Sequence, residues 1–140
     1  MVKENIEWLI DRALSEDIGK GDVTSQYFVP AERQVTALLV AREDGVIAGC
    51  DIAYQVFLRV DSSLDVDQLL QDGARVAKGA IVMKISGAAR SILTAERTAL
   101  NFMQRLSGIA TQTHTYVKAV EGTKAKILDT RKTTPGWRRL

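Results

Sequence analysis

Apolar residues at Ile6, Leu9, Ile10, Ala13 and Leu14 follow the i, i+3, i+4, i+7, i+8 spacing of one helical face, which predicts an amphipathic helix over 3–15. Gly19 and Gly21 then mark residues 16–25, EDIGKGDVTS, as a loop. The period switches to two over 33–42, where Val35, Ala37, Leu39 and Ala41 share one face of a predicted strand. The EDG at 43–45 reads as a hairpin-type turn into a short apolar strand at 46–48 that ends at Gly49. Helical spacing returns over 51–60 through Ile52, Val56, Phe57 and Val60.

Glycines at 73, 79 and 87 divide residues 72–89 into short β-type runs. A long helix is expected over about 92–106, with Leu93, Leu100, Met103 and Leu106 as its apolar stripe. The SGIAT at 107–111 is expected to break it, a further helix through Tyr116, Val117 and Val120 to end at Gly122, and AKILDT (125–130) to form a short buried strand. A lone terminal strand leaves two unpaired edges, so this final helix–strand pair is expected to open an α/β unit of something longer.

Composition is that of a globular protein: 46% of residues are apolar and 26% charged. No apolar run reaches the roughly 18–20 residues of a membrane span. The acidic N-terminal stretch lacks the apolar centre of a signal peptide, and the single Cys50 has no internal disulfide partner, so the expected setting is the reducing cytoplasm. The net charge of +2 is unevenly placed. Residues 1–122 carry 13 Lys/Arg and 16 Asp/Glu, a balance of −3, whereas residues 123–140 carry six Lys/Arg and only Asp129, a balance of +5. That segment is where an anionic partner is expected.

Within it, ILDTRKTTPG (127–136) brings Arg131 and Lys132 together, flanked by the hydroxyls of Thr130, Thr133 and Thr134. Arg131 offers a planar fork suited to a carboxylate or phosphate, and Lys132 a compact charge. A turn after Thr130 is needed to aim both at one ligand. The competing interpretation is a solvated basic tail. ILDTRKTTPG resembles the signature of quinolinate phosphoribosyltransferases (nicotinate-nucleotide pyrophosphorylases, carboxylating). EDIGKGDVTS (16–25), LTAERTALNFMQRLSGIAT (93–111) and the Gly-rich region between them agree in order and spacing.

The resemblance, which spans about residues 4–136, implies an α+β fold: an N-terminal sandwich domain (1–106) followed by the first elements of a truncated α/β barrel (107–140). It also implies transfer of phosphoribose from phosphoribosyl pyrophosphate to quinolinate with decarboxylation, giving nicotinate mononucleotide, pyrophosphate and CO2, with Mg²⁺. Homodimers are implied in which Arg97 reaches the dicarboxylate in the partner subunit's site, while Thr130, Arg131 and Lys132 form the substrate site and Lys132 serves catalysis. The family's later His-Arg pair, lysine and acidic residues fall beyond Leu140, so the Mg²⁺ ligands are not in this chain, and it is expected to be inactive alone. Trp137 stands where the family usually has a small aliphatic residue.

Other residues draw plainer readings. Glu16, Asp17 and Asp22 serve turns and caps rather than a metal, with Thr24 and Ser25 adding local hydrogen bonds. His114 and Cys50 are too isolated for a zinc site, and Cys50 reads as a small buried apolar residue. Trp8 and Trp137 are assigned to packing. Residues 72–87 also resemble half of a biotinyl- or lipoyl-carrier domain, but without a modifiable lysine in place. Two alternatives remain: the molybdate-transport-associated paralogue, and a small basic-tailed nucleic-acid-binding module. The module would interleave several aromatic rings among its cations, and residues 123–140 hold only Trp137, so neither nucleic acid nor membrane is expected as a partner.

Overall fold

The computed structural model describes residues 2–19, 21 and 27–140, with side-chain environments from Ile6 onward. Lys20 and residues 22–26, which include Asp22, Thr24 and Ser25 of the expected loop, lie outside the described residues. The elements are α1 (Val2–Ile18), β1 (Gln34–Val40), β2 (Gly45–Val46), α2 (Cys50–Val60), β3 (Asp65–Gln68), β4 (Arg75–Val76), β5 (Ile81–Ala88) and α3 (Ala89–Ala119). β5 is the centre of an antiparallel sheet ordered β1-β5-β3, and β2 and β4 form a separate antiparallel pair.

The alternation in β1 turns Val35, Ala37 and Leu39 inward, and its partner β5 contributes the fully buried Met83 and Ile85. Onto these pack Val56 and Phe57 of α2, Ala95 and Ala99 of α3, and Ile10 and Leu14 of α1. Ala53, Ala95 and Ala99 have no exposed surface, and such small side chains let α2 and α3 approach closely. The C-cap of α2 adds a polar tie. Asp61 accepts hydrogen bonds from the hydroxyls of Ser63 and of Ser91 on α3, both at 2.6 Å, and these donors hold its carboxyl below the usual range.

Four expectations need correction. β1 and β2 do not form a hairpin through 43–45. The chain leaves the sheet there because Ala41 is engaged by Gly79 and Ala80, and the Asp44 carboxylate accepts the Lys78 N–H at 2.8 Å. The buried stripe of α3 is offset from the expected one. Ile92, Ala95, Ala99, Phe102 and Met103 face the core, whereas Leu93 is exposed. Residues 125–130 form no strand and are exposed, Leu128 to 81%, and pair with no strand among the described residues.

SGIAT does not break the helix: α3 is continuous for 31 residues, about 47 Å at 1.5 Å per residue, and crosses the expected domain boundary at 106/107. Ser107 and Thr111 dock it onto the β2 segment. The Ser107 hydroxyl accepts the Ala48 N–H at 3.0 Å and donates to the Ala48 carbonyl at 3.1 Å. Thr111 Oγ1 does the same for Val46, at 2.9 and 3.4 Å.

One helical turn of four residues rises about 6 Å and two strand residues span about 6.6 Å, so the two hydroxyls match alternate residues of the extended chain as a neighbouring strand would. Glycine permits the close approach. A Cβ at Gly45 would lie 2.8 Å from Thr111 Oγ1, and one at Gly49, whose φ is +94°, would lie 2.9 Å from Leu106 Cδ1. Substituting Ser107→Ala or Thr111→Val leaves a part-buried backbone pair unsatisfied. Each is expected to cost about 1–3 kcal/mol, read as a lowered urea midpoint with unchanged m-value.

Candidate functional site

Thr130, Arg131 and Lys132 lie in the irregular chain after α3. The Thr130 hydroxyl accepts the Lys132 N–H at 3.2 Å, which bends the backbone at Arg131. Such a side-chain-to-backbone bond makes a local turn at Arg131. Both side chains are exposed. Downstream, the Trp137 N–H donates to the Thr134 carbonyl at 2.9 Å, closing the Pro135-Gly136 turn. The Trp137 ring stacks on Phe102 of α3, with centroids 5.1 Å apart and planes inclined by 30°. Trp137 is therefore a packing residue, as its isolation in the sequence suggests, and it pins the segment carrying the cations to α3.

Arg97 lies on the exposed side of α3. Its Nε donates to both carboxylate oxygens of Asp17, at 3.1 and 3.2 Å. Asp17 is not a turn or capping residue, because it belongs to the last turn of α1. A carboxylate there opposes the helix dipole, and that misfit was the available signal that it serves a distant partner. Asp17, Glu16, Arg12 and Asn101 line a polar cleft of about 660 Å³ between α1 and α3, closed at one side by Phe102 and Trp137. Thr98 also lines this cleft, and its buried hydroxyl has no hydrogen-bond partner among the described residues.

A second, apolar groove of about 520 Å³ lies between β1, the 28–33 segment and the start of α3. Thr130, Arg131 and Lys132 line neither cavity, and within the chain the structure does not join them to Arg97.

Cys50 is 1% exposed, and its thiol is pushed up to about 12, first by burial and then by the Asp72 carboxylate, which also accepts the Cys50 N–H at 2.8 Å. A neutral, inaccessible thiol is no nucleophile. Below the ordinary value of 9.0 both folded and unfolded chains keep the proton; between that value and about 12 the unfolded chain alone loses it. Stability should therefore fall as pH rises through this window. At neutral pH, a thiol reagent should label Cys50 only at denaturant concentrations that unfold the chain. His114 is half-buried on α3, with no cluster of three His, Cys, Asp or Glu residues among the described residues to make it a metal ligand.

Comparison with known proteins bears on the whole chain. Residues 22–107 match the family model "Quinolinate phosphoribosyl transferase, N-terminal domain", and residues 109–140 match that of the C-terminal domain. The chain is 50% identical over 137 residues to the nicotinate-nucleotide pyrophosphorylase [carboxylating] of Mycobacterium leprae, covering 94% of this chain and 47% of that protein. It is 45% identical to quinolinate phosphoribosyltransferase [decarboxylating] 1b of Nicotiana tabacum, over 96% of this chain and 38% of the relative.

Among solved structures, the nicotinate-nucleotide pyrophosphorylase of Francisella tularensis superposes with a TM-score of 0.91 at 40% identity, covering 97% of this chain and 49% of that one. The chain thus spans about half the length of the relatives it matches. Sequence motifs, α+β architecture and these matches agree: the chain belongs to the quinolinate phosphoribosyltransferase family, comprising its N-terminal domain and the start of its C-terminal domain.

Proposed function

We propose that this chain contributes to transfer of phosphoribose from phosphoribosyl pyrophosphate to quinolinate, with loss of CO2 and pyrophosphate, to give nicotinate mononucleotide for NAD synthesis. Its substrate residues are Arg97, Thr130, Arg131 and Lys132, with 1–106 as the sandwich domain and 107–140 as the barrel's opening. The observation that carries this reading is the bend at Thr130, which presents two unscreened cations to solvent beside a segment pinned by Trp137.

Quinolinate is a dianion at neutral pH, and departure of pyrophosphate leaves an oxocarbenium-like sugar. Such a reaction gains from positioning and from cations facing the developing negative charge, without a protein nucleophile. Arg131 would grip a carboxylate through two parallel N–H donors, and Lys132 would neutralise charge on the leaving group. The second carboxylate would fall to Arg97 of another copy, since no contact or cavity among the described residues joins Arg97 to Arg131 within one chain. This supports a homodimer with shared sites.

Mg²⁺, which the resemblance implies, takes oxygen ligands. The residues present do not fit it: Asp129 is the only acid in a segment with six Lys/Arg, and no three-residue cluster of His, Cys, Asp or Glu occurs among the described residues. For location, the lone buried Cys50 supports a reducing compartment such as the cytoplasm. No helix among the described residues is long and apolar enough to cross a membrane.

A nucleic-acid role is disfavoured because Trp137, the only ring among the terminal cations, is already stacked on Phe102. Titration of quinolinate into the chain, followed by calorimetry, tests the reading. Saturable binding that depends on Arg131 is expected, and its absence would refute it.

A further inference from the structure

We propose that Asp17 is the positioning residue for Arg97, an inference that rests on the quinolinate reading above. Arginine carries one donor at Nε and four on its two Nη groups. In this structure Asp17 takes only Nε, through both of its oxygens. Among the described residues the Nη1–Nη2 edge has no hydrogen-bond partner, and that edge matches a carboxylate bidentately. The arrangement orients the guanidinium while leaving its gripping edge free.

Two further observations separate this from an incidental surface ion pair. Asp17 is the better buried partner, with its side chain 23% exposed against 59% for Arg97, so the acid is the fixed member and the arginine the presented one. The last turn of α1 contains no basic residue and carries Glu16 and Asp17, an arrangement the helix dipole disfavours. The Arg97 guanidinium compensates for that cost at Asp17. A long side chain on an exposed helix face otherwise samples many rotamers, and ordering it on binding weakens affinity. Asp17 has already restricted it.

The test uses quinolinate as the probe and reads two quantities on the chain. The first is the Arg97 Nε–H resonance in the ligand-free protein, and the second is quinolinate affinity. Asp17→Ala should move the resonance to the position of a solvated arginine and weaken quinolinate binding about tenfold, the order expected when a supporting partner of a ligating group is lost. Asp17→Glu, which keeps a carboxylate acceptor, should recover most of the affinity. Should Asp17→Ala fail to fold, Asp17→Asn provides the same comparison with a weaker acceptor.

Unchanged or tighter binding in the folded Ala or Asn variant would overturn the positioning role; tighter binding would mark the pair as a latch competing with substrate. An unmoved Arg97 resonance would overturn it too. Failure of the unsubstituted chain to bind quinolinate would sink both the functional reading and this proposal. Binding that survives without Asp17 would sink this proposal alone.

Discussion

Arg131→Ala should leave the fold intact and reduce quinolinate binding by more than about thirtyfold, corresponding to the lower end of the roughly 2–5 kcal/mol lost when one partner of a desolvated charge pair is removed. The fold should tolerate the change because the side chain is exposed on an irregular segment. Surface substitutions of that kind usually stay within about 0.5 kcal/mol in stability. Arg131→Lys should recover little, since an ammonium cannot supply two parallel donors to one carboxylate. Lys132→Ala should weaken quinolinate binding less than Arg131→Ala does, because the reading assigns Lys132 to the leaving group. Calorimetric titration of the three variants, with thermal melts as the fold control, checks this ordering.

The largest effect on stability is expected from Phe102→Ala. Phe102 is 3% exposed, belongs to the core cluster and carries the Trp137 ring. Truncating a buried phenylalanine to alanine costs about 3–5 kcal/mol, and loss of an aromatic pair adds about 0.5–1.5 kcal/mol. The consequence reaches the candidate site. Residues 121–136 are all exposed, and Trp137 and Leu140 are the partly buried residues that hold this end of the chain to the core. Without its seat, Trp137 should move into water, shifting its emission to the red, and the segment bearing Arg131 and Lys132 should be cleaved faster by trypsin under native conditions. Phe102→Leu preserves most of the buried volume. It should keep more of the stability while still releasing the tryptophan, which separates loss of stacking from loss of core.

The parts of this fold that were legible in the sequence are those whose period reports their burial. α1, β1 and α2 each expose one face and bury another, so the spacing of Ile10 and Leu14, of Val35, Ala37 and Leu39, and of Val56 and Phe57 was sufficient. β3 was not, because its four residues are Asp-Val-Asp-Gln and only Val66 and Gln68 turn inward, too short and polar a pattern to register. The second half of α3 was concealed for another reason. Ser107, Gly108 and Thr111 have the composition of a loop, and the groups their hydroxyls satisfy lie 59 and 65 residues away. Residues 125–130 misled in the opposite direction: Ile127 and Leu128 look like a buried strand, but a strand requires a neighbour's edge.

The candidate site divides along the same line. Thr130, Arg131 and Lys132 are adjacent, so their motif is visible in one reading. The link between Arg97 and Asp17 spans 80 residues and appears only when α1 is packed against α3. Among the described residues no hydrogen bond and no cavity lining joins Arg97 to Arg131, and the proposed shared site supplies the missing link from a second copy.

That requirement is open to one direct measurement. Chains carrying Arg97→Ala and chains carrying Arg131→Ala, each folded and each impaired in quinolinate binding alone, are mixed and titrated with quinolinate. Sites shared between subunits predict that the mixture regains saturable binding, because a mixed dimer holds one site with both arginines intact. A mixture that binds no better than either variant alone would contradict the account.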